Sequence, residues 1–388
     1  MQKVNKLNVV LVCLVLFLCL FGLLMIYSAS SYSSNVQFGD SFHFVKKQAF
    51  GFCLGVVLFI IAKNFDYHKF YKLRYWIIGV SIILLALVFV PGIGIGANGA
   101  RRWIGFGSFN IQSSEVAKFG FVIFTSCYLS KNYQNMKTFK GLLPVLASGG
   151  IICLLIILEP NMSVTMCVGM VMIVMLIVGG IRAKHVAILA VPAIALVILL
   201  IVIEPYRFSR LTAFINPWAN PKEEGYQLIQ SLYSLGAGGM FGVGLFNSRQ
   251  KYLFLPFAES DFIFAIIGEE FGFVGASLIL LLYVVIIAIG IKIALNAHDR
   301  LGTYIASGIT AVIAIQLLIN VAVVTGSIPP TGIPMPFISA GGTSLSVFMG
   351  ATGILCNVGK GKESGGEFGK NRFELKGISE KKKNINRI

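Results

Sequence analysis

The chain has 388 residues, of which 56% are hydrophobic and only 12% charged, about half the charged share of an ordinary soluble domain. That composition excludes a soluble globular protein. The net charge of +16 would suggest nucleic acid in a soluble protein; here membrane topology accounts for it, and no nucleic-acid partner is expected.

In chain order, runs of about 20 apolar residues predict spans at 7–27, 46–62, 76–92, 113–130, 142–158, 162–180, 186–203, 262–291, 303–324 and 343–358. The expected fold is an all-α polytopic membrane protein with ten transmembrane helices and both termini cytoplasmic. The 46–62 and 343–358 segments are short and contain glycine. Ser28-Ala29-Ser30 resembles a cleavage site, but the apolar run before it is too long for a secretory signal and more spans follow, so an uncleaved first helix is expected. The seven cysteines, Cys13, Cys19, Cys53, Cys127, Cys153, Cys167 and Cys356, all fall in apolar spans. Small core residues are expected there, with no disulfide framework.

With the N-terminus in the cytoplasm, the inside holds 22 Lys and Arg against 6 Asp and Glu, while the outside and embedded set balances at 10 against 10. The positive excess therefore lies wholly inside, as short cytoplasmic loops require. The segment 359–388 is Gly/Lys/Glu-rich and lacks an apolar period. A disordered basic cytoplasmic tail is expected, attracted to anionic membrane lipids at up to about 1 kcal/mol per basic residue.

Three outside segments carry the polar residues: 93–115, 204–261 and 325–342. The second, between the seventh and eighth spans, far exceeds an ordinary connection, which argues for function. Within it Tyr226–Leu235 has helical apolar spacing. The five glycines of 236–244 would let backbone approach a ligand, without the strand-to-helix setting of a phosphate loop. Arg101-Arg102-Trp103 reads either as an interfacial anchor or as a grip on a phosphorylated lipid head group. Arg207, Arg210, Lys222, Arg249 and Lys251 are the other basic residues of these segments. Glu115 and Lys118 are spaced to pair on one helix face, as a structural pin or as part of a substrate cavity.

Asp261 stands at the threshold of the eighth span, with Glu269 and Glu270 about 12 Å deeper. Embedded carboxylates are expensive, so a functional role is weighed against helix capping and buried ion pairing. Pro329, Pro330, Pro334 and Pro336, then Gly341 and Gly342, make the last outside segment rigid. Such backbone near membrane depth is tolerated where it is buried in protein or lines a cavity. Ser339, Thr343 and Ser344 would supply hydroxyls to that cavity or cap the tenth span. Asn320 is expected to face the bundle.

Four stretches, NGARRWIGFGSFNIQSSEVAKF (98–119), GYQLIQSLYSLGAGGMFGVGLFNSRQKYLFLP (225–256), DFIFAIIGEE (261–270) and TGIPMPFISAGGTS (331–344), resemble the SEDS family of shape, elongation, division and sporulation proteins. The likeness spans residues 10–358, and the runs at 98–103 and 247–251 look more like its division and sporulation branch than its elongation branch. The resemblance implies a peptidoglycan glycosyltransferase working on lipid II at the outer face of the bacterial cytoplasmic membrane. It implies one membrane domain, 1–358, with 204–261 as its catalytic loop. Asp261 matches the family's essential loop aspartate, Glu115 its functional glutamate, and Arg102 and Lys118 its nearby basic positions. Arg101, Trp103, Arg207, Arg210, Arg249, Lys251 and Ser344 complete the expected substrate contacts. The candidate cofactor is a divalent cation, Mg or Mn. A single-pass transpeptidase of the class B penicillin-binding type is the expected partner, alongside divisome or sporulation proteins. The sequence departs from the family pattern at Ser113, Phe257, Asn161–Ser163 and Ala340. Two other readings are a lipid II flippase, which should show an inverted repeat, and a non-catalytic scaffold, in which Asp261 would be dispensable. No such repeat is visible, and the charges crowd the outer half, which favours polymerisation.

Overall fold

Long apolar stretches satisfy their backbone groups internally only as helices, and each of the ten expected segments overlaps one, the third (76–92) overrunning a helix that ends at Leu87. The computed structural model describes residues 2–97, 100–106 and 109–360. Its helices are α1 (Gln2–Phe38), α2 (His43–Asn64), α3 (Phe70–Leu87), α4 (Ser113–Asn132), α5 (Phe139–Leu158), α6 (Met162–Val178), α7 (Ala183–Ile203), α8 (Pro205–Ile215), α9 (Tyr226–Gly238), α10 (Ile263–Leu295), α11 (Arg300–Val324) and α12 (Gly342–Lys360). Among the described residues, seven (α1, α2, α3, α5, α7, α10 and α11) are long and apolar enough to cross a membrane. The apolar α6 has only 17 residues, while α4 and α12 carry buried polar side chains.

Three features differ from expectation. The helical membrane fold holds, with the addition of a three-stranded antiparallel sheet, β1 (Gly94–Ala97), β2 (Ala100–Phe106) and β3 (Phe109–Gln112), within the segment expected as an outer loop. Trp103, Ile104 and Ile111 suit a half-buried pleated surface, and that preference outweighs the glycines around them. The long 204–261 segment holds α8, which is not anticipated from the sequence, as well as α9, where the spacing of Tyr226–Leu235 indicates a helix. The first helix continues past residue 27 to Phe38, and Ser28 and Ser30 are buried inside the bundle. The expected tail falls almost wholly on 361–388, outside the described residues, as do Asn98 and Gly99.

The short glycine-bearing spans owe their place to close packing. A Cβ at Gly51 would lie 2.5 Å from Gly342 Cα, and one at Gly353 would lie 2.6 Å from the Phe59 carbonyl. Small residues let α2 and α12 approach backbone to backbone, the usual way helices associate in lipid. In the middle, α4 packs against α3, α5, α6, α11 and α12 and is buried over nearly its whole length. At the periphery α7 buries none of its described residues, as a lipid-facing apolar helix should. Cys19, Cys127, Cys167 and Cys356 are core residues, whereas Cys13 and Cys53 lie on exposed helix faces.

The glycine run of 236–244 approaches protein rather than ligand. Gly272 breaks α10 with φ of 68°, and the freed backbone is taken up by the neighbouring loop. Val243 and Gly244 N–H donate to the Glu269 and Glu270 carbonyls, and Phe273 and Val274 N–H donate to those of Gly239 and Met240. A Cβ at Gly242 would lie 2.2 Å from the Glu270 carbonyl, so only glycine fits this crossing.

Candidate active site

Asp261 ends the irregular segment that enters α10, and that segment is held at three consecutive carbonyls. Ala340 N–H donates to the Glu259 carbonyl at 2.9 Å, the Ser339 hydroxyl to that of Ser260, and the Asn320 amide to that of Asp261 at 2.8 Å. The side chain of Asp261 is left half-buried. Burial, and then the neighbouring Glu259, push its carboxyl from 3.8 up to about 6, with Arg210 and Arg102 acting in the opposite direction. Such a value leaves it ionised at neutral pH yet far more basic than an ordinary aspartate, the property wanted of a general base.

The two cations reach Asp261 from separate elements. In the pairing of β2 with β1, Trp103 faces Ile95 and Arg101 faces Gly96, so Arg102 is the extra residue of a bulge, a device that re-aims side chains next to sites. Its guanidinium donates to the carbonyls of Glu159 and Pro160 at the turn between α5 and α6. Arg210 of α8 donates to the Pro330 carbonyl at 3.0 Å and so ties that helix to the proline-rich segment. Glu159 is 1% exposed. Burial pushes its carboxyl up to about 8, against a hydrogen bond from Ser113 and the charge of Arg102. Held neutral, it does not cancel the Arg102 cation.

A second polar cluster joins α4, α11 and α12. Lys118 Nζ is 2.8 Å from Glu115 Oε1, both side chains being at most 2% exposed. Ser344 donates to Glu115 Oε2 at 2.9 Å, and Lys118 donates to Gln316 Oε1. Gln316 in turn donates to the Pro334 carbonyl at 2.9 Å. Breaking a buried ion pair from one side strands a charge and costs about 3–5 kcal/mol. Glu115→Gln and Lys118→Met are therefore each expected to lower the melting temperature, and the double variant to recover part of the loss. Melting curves in detergent check this, and strictly additive losses would contradict the pairing.

The remaining expected contacts are distributed differently. Arg101 is exposed and Trp103 half-buried on β2. Arg207 donates back to the Leu200 carbonyl of its own preceding helix at 3.0 Å. Arg249 offers its backbone N–H to Glu269 at 2.9 Å, and its side chain is exposed. Lys251 is 6% exposed, lies 3.6 Å from Glu270 Oε1 and donates to the Phe246 carbonyl. Glu269 also accepts from the Ser234 and Ser248 hydroxyls, and Glu270 from that of Ser28. The paired carboxylates thus act as internal pins for the 243–251 loop. Among the described residues no group of three or more His, Cys, Asp or Glu is placed to hold a metal ion. The expected Mg or Mn thus finds no ready ligand set.

Gln316, Glu159 and Glu259 join the site without having been singled out from the sequence. The signal for the first was available, a polar residue inside an apolar span. Burial of the two glutamates depends on turns that sequence spacing does not reveal.

Residues 9–364 match the model of the FtsW/RodA/SpoVE family, described as cell cycle protein. Stage V sporulation protein E of Bacillus subtilis is 42% identical over 91% of this chain and 97% of its own length. The probable peptidoglycan glycosyltransferase FtsW of Geobacter metallireducens is 36% identical, over 92% and 96%. Among solved structures, a chain of a peptidoglycan synthase complex coordinating polymerization and crosslinking superposes with a TM-score of 0.74 at 27% identity, covering 90% of this chain and 96% of that one. The rod shape determining protein RodA of Thermus thermophilus gives 0.67 at 24% identity, over 91% and 97%, a likeness of fold alone. Spanning nearly the whole described chain, and joined to close relatives of matching length, these matches establish that the protein belongs to the FtsW/RodA/SpoVE family of cell cycle proteins.

Proposed function

We propose that this chain is a peptidoglycan glycosyltransferase of the bacterial cytoplasmic membrane, polymerising lipid II at the outer face for division or sporulation. It spans the membrane ten times with both termini inside. The observation that carries the reading is Asp261, a half-buried carboxyl of raised basicity on which the charges of Arg210 and Arg102 act.

The acceptor sugar's 4-hydroxyl is a poor nucleophile at neutral pH and needs a positioned base as it attacks. Asp261 takes that proton. The donor's anomeric carbon passes to the acceptor oxygen while its bond to undecaprenyl diphosphate breaks, so negative charge grows on phosphate. Arg102 and Arg210 stabilise that charge most where it is largest, in the transition state. One base and one cationic clamp suffice for a single displacement, and the donor carbon inverts; the paired carboxylates of a retaining glycosidase are not needed. Ser344, Glu115 and Lys118 form a buried hydrogen-bonded cluster that steadies the helices around the site. No step is routed through a metal, because no group of three or more His, Cys, Asp or Glu is placed for one among the described residues.

The expected partner is a single-pass transpeptidase of the class B penicillin-binding type, which would crosslink the emerging strands. The test supplies lipid II to the purified protein, with and without such a partner, and resolves the products on a gel. Glycan ladders are expected. Absence of polymer in both conditions, with lipid II crossing vesicle bilayers instead, would overturn polymerisation in favour of transport.

A further inference from the structure

The segment carrying Asp261 is irregular up to Phe262, the residue before α10, and two of the three bonds that hold its carbonyls come from another irregular segment, at Ser339 and Ala340. Loops fixing loops do not define a position to the fraction of an ångström that chemistry needs. The third bond is different in kind, because Asn320 belongs to α11, which is buried against α4, α6, α10 and α12. The Asn320 amide donates twice, to the Asp261 carbonyl at 2.8 Å and to the Ile333 carbonyl at 2.7 Å. One turn earlier on the same helix, Gln316 accepts from Lys118 and donates to Pro334.

Resting on the polymerase reading, we propose that Asn320 is a positioning residue that fixes the Asp261 carboxylate relative to the Glu115–Lys118 pair held through Gln316. The amide orientation is unambiguous: turned over, its oxygen would face two carbonyl oxygens. As it stands, Oδ1 is buried with no hydrogen-bond partner among the described residues. A buried acceptor left unsatisfied is a cost to folding, which an apolar side chain of the same size would avoid. The residue is placed for its two donors.

The experiment compares Asn320→Asp, Asn320→Leu and Asn320→Gln with wild type in lipid II polymerisation, and measures backbone deuterium uptake in all four. Asp keeps the shape but loses both donors, Leu removes all polarity, and Gln keeps a donor on a longer stem. Misplacement by about 1 Å can cost about a hundredfold in rate. We therefore expect kcat to fall by about that factor in Asp and Leu, with the lipid II KM unchanged, the pattern of an interaction that acts only in the transition state. Gln should regain part of the rate. Uptake should rise at 257–262 and 332–336 in the Asp variant while α11 stays protected. If Leu does not fold, Asp and Gln carry the comparison. Wild-type kcat in the Asp variant, or a raised KM at unchanged kcat, overturns the proposal. So does a Gln variant as slow as Leu with all three melting lower, because that marks a packing role. If wild type itself makes no glycan, the polymerase reading fails separately. The deuterium arm then decides the positioning, which unchanged uptake would refute.

Discussion

Asp261→Asn is expected to abolish polymerisation while leaving the protein folded and, at neutral pH, more resistant to heat than wild type. Loss of activity follows from removing the base, since the amide cannot accept the hydroxyl proton. The gain in stability follows from the direction of the pKa shift. Burial first, and then Glu259, raise the carboxyl from 3.8 to about 6, so the folded protein binds a proton more tightly there than the unfolded chain does. The stability this contributes is fully present below pH 3.8 and is lost as pH rises through about 6. At pH 7 the ionised group is a burden, and the neutral amide removes it. The Asn320 bond to the residue 261 carbonyl is indifferent to the change, because it involves main chain. For the wild-type enzyme the same shift predicts that kcat/KM falls tenfold per unit on the acid side of about pH 6, where an ordinary aspartate would hold activity down to about pH 4. Product gels, melting curves at pH 4 and 7.5, and a pH–rate profile check the three parts. Near-normal glycan synthesis by Asp261→Asn would sink the base assignment.

Much of this arrangement was legible beforehand, and what was not shares a physical cause. Apolar period placed the helices, and the i, i+3 spacing of Glu115 and Lys118 anticipated their ion contact, because helix geometry alone brings such residues together. A carboxylate at the threshold of a span marked Asp261 for function or capping, and family likeness favoured function. Spacing could not show that Glu269 and Glu270 turn inward to serines and to Lys251, because those partners come from three other elements. Nor could it separate Arg102 from Arg101. They are adjacent in sequence, and their difference arises from a β-bulge in a sheet that the apolar background concealed. The glycines of 236–244 were legible as a close approach, but what they approach is the broken turn of α10. Local patterns reported elements and neighbours along the chain, and long-range hydrogen bonds decided which polar residues gather around Asp261 and which pin other loops.

Arg102 is where that division is tested most sharply, because it does both jobs. Its guanidinium holds two carbonyls of the α5–α6 turn, and its charge acts on Asp261. If it also clamps the leaving diphosphate, Arg102→Ala should lower kcat by about a hundredfold to a thousandfold, the usual loss when one preorganised donor to a developing anion is removed. Arg102→Lys keeps the cation but not the planar fork, so it should retain part of that rate. The two variants should melt alike, because neither reproduces the paired bonds to the turn. Stability therefore reports the scaffold role and turnover the charge, and a lipid II titration with parallel melting curves separates them. A third consequence concerns Asp261. With this cation gone, one of the two influences lowering its carboxyl is lost, so the acid limb of the Arg102→Ala profile should move upward in pH, and Lys should restore it. Wild-type turnover in Arg102→Ala with a reduced melting temperature would make Arg102 scaffold alone. The clamp would then fall to Arg210, which also acts on Asp261, rather than to Arg207, bound to the preceding helix α7, or to Arg249, exposed on the pinned loop.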